Sequence, residues 1–189
     1  VVWEKTEVDR LADLATELPQ ELDLILIADQ DEAYSGDLVG TNRSETLIAS
    51  DADDNITGGL GNDLLKGEAG NDSYHFSAGF GKDEISDLLG ENAIKFDHTI
   101  SLSDILVSRS EDHLFINIAT TNDQIIIRDW YVSDNAQLNV EFYDGSQLSA
   151  EQLSDLANLG TPFADYLLGD DSDNVITGGE GNDHLAGRN

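Results

Sequence analysis

Gly58-Gly59-Leu60-Gly61-Asn62-Asp63-Leu64-Leu65-Lys66 is followed at once by Gly67-Glu68-Ala69-Gly70-Asn71-Asp72-Ser73-Tyr74-His75, and both stretches obey one nine-residue logic. Six glycine-rich residues make a tight turn, because glycine tolerates positive φ and leaves backbone carbonyls exposed. An Asp closes the turn. Three residues then form a short strand that sends one large apolar side chain, Leu65 or Tyr74, inward. One inward residue in nine cannot offset the ordering entropy of the other eight. Such units must therefore stack on one another, and a fixed short period of this kind specifies a solenoid.

The period runs well beyond the clean pair. Leu38, Leu47, Ile56, Leu65 and Tyr74 stand nine residues apart, and the turn-closing position reads Glu45, Asp54, Asp63, Asp72, all oxygen donors. Two extra residues, Phe76-Ser77, shift the phase. Ala78-Gly79-Phe80-Gly81-Lys82-Asp83-Glu84-Ile85-Ser86 resumes it, and a degraded copy from Asp87 to Lys95 carries Asn92 in the acidic slot and Ile94 inward. The pattern returns at Gly160, Gly169 and Gly178, with inward Leu167, Ile176 and Leu185 and closing residues Asp165, Asn174 and Asp183. A second period lies above the first: Gly40-Thr41 aligns with Gly160-Thr161, and Gly61-Asn62-Asp63 with Gly181-Asn182-Asp183, each 120 residues apart. The chain reads as one block of a tandem array plus the start of the next. With no methionine even at position 1, it reads as an internal piece of a longer protein.

These nonapeptides, over 40–95 and 160–187, resemble the repeats-in-toxin family, also called haemolysin-type calcium-binding repeats. Asp123 to Tyr131 and Val140 to Leu148 look like that family's repeat-associated β domain. The resemblance implies a parallel β-roll in which each Ca²⁺ sits between one turn and the turn two repeats later. The turns would supply the Asp carboxylate and several backbone carbonyls, an all-oxygen set suited to a hard cation. Carried onto this sequence, the carboxylate or amide ligands are Glu45, Asp54, Asp63, Asp72, Asp83, Asn92, Asp165, Asn174 and Asp183. The turn ligands are Ala49 and Asp51; Gly58, Gly59, Leu60 and Gly61; Gly67, Glu68, Ala69 and Gly70; Gly79 and Gly81; and Gly178, Gly179 and Gly181. Asp63 with Asp83 and Asp54 with Asp72 are the favoured pairs. Glu45, Asn92 and Asn174 are weaker candidates, since Asn brings no charge and Glu is longer.

Charge agrees with a cation-ordered chain. The formal net charge is -30 over 189 residues, which argues against nucleic acid or an anionic membrane as a direct partner. Acidity alone more often marks disorder, but 39% of residues are hydrophobic and the acids recur in register. Cysteine is absent, so there is no disulfide or thiolate metal site, and the four histidines show none of the paired spacings expected of a zinc enzyme. No apolar run reaches membrane-span length and no signal peptide is present. The glycine turns lack the Gly-Lys-Ser/Thr ending of a phosphate cradle. Neither a Gly-x-Ser-x-Gly elbow nor a His-Glu-x-x-His motif occurs, so the expectation is no enzyme active site.

The organisation expected is all-β: a calcium-binding parallel β-roll with a small antiparallel β cap domain and short helices. Residues 1–37 form an N-terminal helix and strand closing a preceding block, with the helix over 1–19 and a strand over 22–28. Residues 38–95 form the roll, 96–159 the cap, and 160–189 the start of a second roll. Within 96–159, strands are expected over 105–109, 113–118, 124–128 and 138–143, with a type I′ hairpin turn at Asp144-Gly145. A helix should open at Ser149, where Ser-x-x-Gln forms a capping box. Trp130, Tyr131, Phe115 and Phe142 read as core. The function expected is a calcium-binding structural or spacer module of a large secreted adhesin or toxin. The resemblance implies export by type I secretion and folding outside the cell on Ca²⁺. The alternatives are an accessory roll of a secreted enzyme (protease, lipase or epimerase type) and a ligand-binding module. Expected partners are calcium, neighbouring blocks of the same chain and an extracellular protein or glycan, with no nucleic acid and no membrane insertion.

Overall fold

The computed structural model describes residues 24–27, 36–87, 89–110, 112–132, 137–160, 166–168 and 175–187. The helix expected over 1–19 lies outside them. Eight short strands climb the roll: β1 Leu24–Ile27, β2 Asp37–Val39, β3 Glu45–Ile48, β4 Asn55–Thr57, β5 Leu64–Lys66, β6 Ser73–Phe76, β7 Lys82–Ile85 and β8 Glu91–Phe96. Odd strands form one parallel sheet, β1-β3-β5-β7, and even strands the other, β8-β6-β4-β2. A nine-residue unit turns the chain by half a coil, so strands two repeats apart become hydrogen-bonded neighbours.

The inward column forms as the period requires. Leu47, Ile56, Leu65, Tyr74, Ile85 and Ile94 are completely buried and Leu38 nearly so. Ile56 pairs with Tyr74, and Tyr74 with Ile94. The Phe76-Ser77 insertion does not break register, because it lengthens β6 and lets Phe76 enter the core. Phe76 packs on Phe80 at 4.8 Å and on Phe96 at 6.2 Å, ring centre to ring centre. Both sheets absorb the same two residues: Leu65 meets Ile85, and Phe76 meets Phe96.

The following segment continues both sheets. A meander of β9 Ile105–Ser110, β10 His113–Ile118 and β11 Gln124–Ile127 is antiparallel within itself, and β11 adds in parallel to β7. Likewise β12 Gln137–Glu141 adds in parallel to β8, and β13 Gln147–Leu148 pairs back on β12. Ile125, Ile127, Leu138, Val140 and Phe142 extend the buried column. The β12–β13 turn is not type I′: Gly145 has φ 86° while Asp144 does not have positive φ, and Gly145 N–H bonds to Phe142 O. One left-handed residue after a type I turn is a bulged hairpin, which needs glycine at one position only. Helix α1, Ala150–Ala157, starts at Ser149 with both arms of the capping box present and buries Leu153 and Ala157. Beyond it, β14 Tyr166–Leu168 and β15 His184–Ala186 form a separate parallel pair. Leu167 is buried, whereas Leu185 is 47% exposed, with no further rung stacked on it among the described residues.

Candidate metal centres

The turns stack in two columns, one along each edge of the roll. Turns 40–45, 58–63 and 78–83 share one column; turns 49–54, 67–72 and 87–92 share the other. The closing residue of each turn reaches back to the turn two repeats earlier. Asp63 Oδ1 accepts from Glu45 N–H at 2.8 Å, and Asp83 Oδ1 from Asp63 N–H at 2.9 Å. In the other column Asp72 Oδ1 accepts from Asp54 N–H and Asn92 Oδ1 from Asp72 N–H, both at 2.8 Å. The residue just before reaches the opposite way: Asn62 Oδ1 accepts from Lys82 N–H at 2.9 Å and Asn71 Oδ1 from Glu91 N–H at 2.8 Å. The Asn-Asp pair in each turn is thus a two-way splice between rungs.

Glycine is required where turn meets turn. Gly61 and Gly81 both have positive φ, and a Cβ on Gly81 would collide with the Gly61 carbonyl below it. Carbonyls of one turn therefore lie directly against the backbone of the next, lining each column with oxygen.

Three carboxylate oxygens in this lining have no partner. Oδ2 of Asp63, Asp72 and Asp83 is buried and makes no hydrogen bond, in residues 2%, 1% and 0% exposed. Each Asp keeps Oδ1 for the backbone splice and turns Oδ2 into the turn. A Cβ on Gly58 would sit 2.7 Å from the Asp63 Oδ2. Burial is the main cause that raises Asp63 and Asp72 from 3.8 to about 7 and Asp83 to about 8. Neighbouring charges add to it: Glu45 on Asp63, Asp87 and Asp54 on Asp72, Asp63 and Asp123 on Asp83. An ionised carboxylate with one oxygen buried and unpaired is relieved by a proton or by a cation. Carbonyls and carboxylates in a flexible all-oxygen lining fit Ca²⁺, whose coordination tolerates varied geometry. Among the described residues no three His, Cys, Asp or Glu side chains converge as a metal cluster. That does not count against Ca²⁺ here, since backbone carbonyls line the stacked turns beside the carboxylates.

The favoured pairs do lie in common columns, Asp63 with Asp83 and Asp54 with Asp72. The remaining sequence-named residues are spread less evenly. Ala49 is buried and Asp51 exposed on the outside of its turn. The glycines and neighbours over 58–61, 67–70, 79 and 81 line the stacked turns. Asp183 faces Gly178 Cα within its own turn, beside Gly179 and Gly181. Asp165 and Asn174 lie outside the described residues. Four residues that satisfy the turns escaped the sequence reading: Thr41, Ser50 and Asp87, which bond closing residues, and Asp123, which accepts from Gly79 and Gly81 N–H. The signal for the first two was visible, a hydroxyl at the second turn position where the best turns have Gly59 or Glu68.

Residues 39–74 and 159–189 match the family described as RTX calcium-binding nonapeptide repeat (4 copies). Residues 113–152 match the haemolysin-type calcium binding protein related domain. The rungs of β7 and β8 continue the roll beyond the stretch that the repeat family covers. No curated protein matches the chain. Among solved structures, it is similar to the extracellular lipase LipA from Serratia marcescens at 23% identity and a TM-score of 0.37. That match covers 77% of this chain and 24% of the lipase chain, so the chain spans about a quarter of that protein's length. On its two stretches of nonapeptides and the related domain between them, the chain belongs to the RTX calcium-binding repeat family.

Proposed function

We propose that this chain is a Ca²⁺-gated folding unit that serves as a structural spacer of a large secreted adhesin or toxin, unfolded during export and folded outside the cell. The observation that carries this reading is the set of three buried carboxylate oxygens without partners at Asp63, Asp72 and Asp83. A nine-residue rung loses about 9–18 kcal/mol of backbone entropy on ordering. Its single inward Leu or Ile returns only about 1.5–3 kcal/mol. Backbone hydrogen bonds narrow the gap, but buried like charges in each column widen it again. Ca²⁺ reverses that last contribution, so metal binding and folding become one event.

The 120-residue period favours a modular surface protein built of many such blocks. Nothing in the acidic columns resembles a nucleophile–base pair, and the role is structural. Among the described residues no helix is long and apolar enough to cross a membrane. The test is small-angle scattering with calcium buffered at sub-micromolar and then at millimolar levels. An unfolded chain of this length has a radius of gyration of about 46 Å and a compact one about 16 Å, with an elongated roll somewhat larger. A compact particle at both calcium levels would refute the gating. A type I secretion assay with residues stabilised against unfolding should show export failing.

A further inference from the structure

We propose that, among the described residues of the first roll, calcium demand is confined to three turns, 58–63, 67–72 and 78–83, and that the described turns flanking them in each column form metal-free hydrogen-bonded plugs. The proposal rests on the calcium reading above and goes beyond it by separating turns that need an ion from turns that do not.

The separation appears in the partners of the closing residues. In turn 49–54, Asp54 Oδ2 accepts from Ser50 N–H at 2.9 Å and from Ser50 Oγ at 2.7 Å, while Oδ1 accepts from Gly36 N–H at 2.7 Å. In turn 40–45, Glu45 Oε2 accepts from Thr41 N–H at 2.7 Å and Oε1 from the Thr41 hydroxyl. Both acids are 4% exposed, as buried as their central counterparts, yet their oxygens already have donors. A hydroxyl residue at the second turn position supplies the protons. Where Gly59 stands at that position instead, Asp63 Oδ2 is left bare.

The far ends are closed by different chemistry to the same effect. In turn 87–92 the closing residue is an amide. Asn92 keeps the backbone splice through Oδ1, and its Nδ2 donates to Asp87 Oδ2 at 2.9 Å and to Leu89 O at 3.0 Å. Two N–H groups thus stand where the central turns leave a bare carboxylate oxygen. Tyr74 completes the plug: its ring belongs to the inward column, and its hydroxyl donates to Asp87 Oδ2 at 2.6 Å. Asp87 Oδ1 accepts from Leu89 N–H at 3.1 Å.

In the other column the plug comes from the β10–β11 hairpin. Asp123 is 6% exposed. Its Oδ2 accepts from Gly79 N–H at 2.6 Å and from the Thr121 hydroxyl at 2.8 Å, and its Oδ1 from Gly81 N–H at 3.0 Å. The upper side of turn 78–83 therefore has its N–H groups bound to a carboxylate whose oxygens are themselves fully engaged, so neither partner is left without a hydrogen bond. One column reads Thr41–Glu45, two bare turns, Asp123; the other reads Ser50–Asp54, one bare turn, Asp87–Asn92–Tyr74. Plugs on both sides let calcium act between them while the flanking described turns stay satisfied without it.

The experiment compares two sets of variants in the full chain by calorimetric calcium titration. Asp63→Asn, Asp72→Asn and Asp83→Asn should each lose an ion or weaken the calcium midpoint by at least roughly 10-fold, the smallest loss expected on disturbing a metal site. Glu45→Gln, Asp54→Asn and Asp123→Asn should keep the wild-type stoichiometry and midpoint within about 3-fold, less than 1 kcal/mol. Should Asp54→Asn fail to fold, Ser50→Ala keeps the carboxylate and removes only a donor; it should lower the thermal midpoint without losing an ion. Equal loss of calcium in both sets overturns the partition and leaves the calcium reading intact. No calcium uptake by the unaltered chain overturns both.

Discussion

Acid should partly replace calcium in this fold. Asp63 and Asp72 are raised from 3.8 to about 7 and Asp83 to about 8, chiefly by burial. A carboxyl with a raised folded value binds protons more tightly when folded than when unfolded. Its contribution to stability is therefore complete below the unfolded value near 3.8 and is lost as pH rises toward 7–8. Between pH 7 and pH 5 each group stabilises the calcium-free fold by roughly 2–3 kcal/mol. The three share two columns, and Asp63 and Asp83 influence each other directly, so their effects do not simply add and about 3–5 kcal/mol in total is expected. The assay is far-UV circular dichroism with urea titration in chelator at both pH values, on samples shown monomeric by sedimentation because pH 5 approaches the pI near 4.1. The acid sample should be more β-rich or survive about 2 M more urea. In excess Ca²⁺ the sign reverses, since protons compete for the same oxygens and acid weakens the calcium midpoint. General charge repulsion also relaxes in acid, so Asp63→Asn/Asp72→Asn/Asp83→Asn is the control and should lose most of the gain. A calcium-free chain no more stable at pH 5 than at pH 7, or a triple variant with the full gain, would refute the reasoning.

Magnesium should substitute poorly for calcium, because it demands near-octahedral geometry and dehydrates reluctantly; equal midpoints for the two ions in circular dichroism would contradict a flexible carbonyl-lined site. Asp72→Ala should damage calcium-dependent folding more than Asn92→Ala. The first removes a charged oxygen donor and the second only a splice and an amide plug, and calorimetric titration of the pair gives the comparison. Ending the chain near Lys95 should leave it disordered at calcium levels that fold a chain ending near Leu159. Without β11 and β12 the outer edges of β7 and β8 are bare. Folding of both lengths at the same calcium concentration would show that the added strands are dispensable.

The roll was legible because its period fixes geometry as well as composition. Nine residues per half coil place Leu65 over Leu47 and Ile56 beneath Tyr74, so inward positions and same-column acids follow from counting alone. The expected strands between 105 and 143 were legible by alternation, as in Leu114 and Ile116 facing the core. Their attachment was not, because nothing local in Gln124 to Ile127 says that it pairs in parallel with β7 across a separation of more than 40 residues. The bulged turn at Gly145 departed from the I′ expectation because one glycine satisfies either geometry, and hairpin register decides between them. Tyr74 was read as an inward apolar residue, and the burial is as expected. Its hydroxyl contact with Asp87 depends on the stacking of turn 87–92 above turn 67–72, which a period cannot express. Thr41 and Ser50 were overlooked for a related reason. A hydroxyl in a glycine-rich turn reads as ordinary turn chemistry, and only the burial of Glu45 and Asp54 makes those donors necessary.

The central claim is that calcium binding and folding of the turn columns are one event. Calcium titration of the chain followed by far-UV circular dichroism tests it most directly. A cooperative passage from a disordered to a β-rich spectrum is predicted, with a midpoint in the range of about 10⁻⁴–10⁻³ M typical of extracellular calcium modules. The same ellipticity and the same thermal midpoint in chelator and in excess calcium would contradict it.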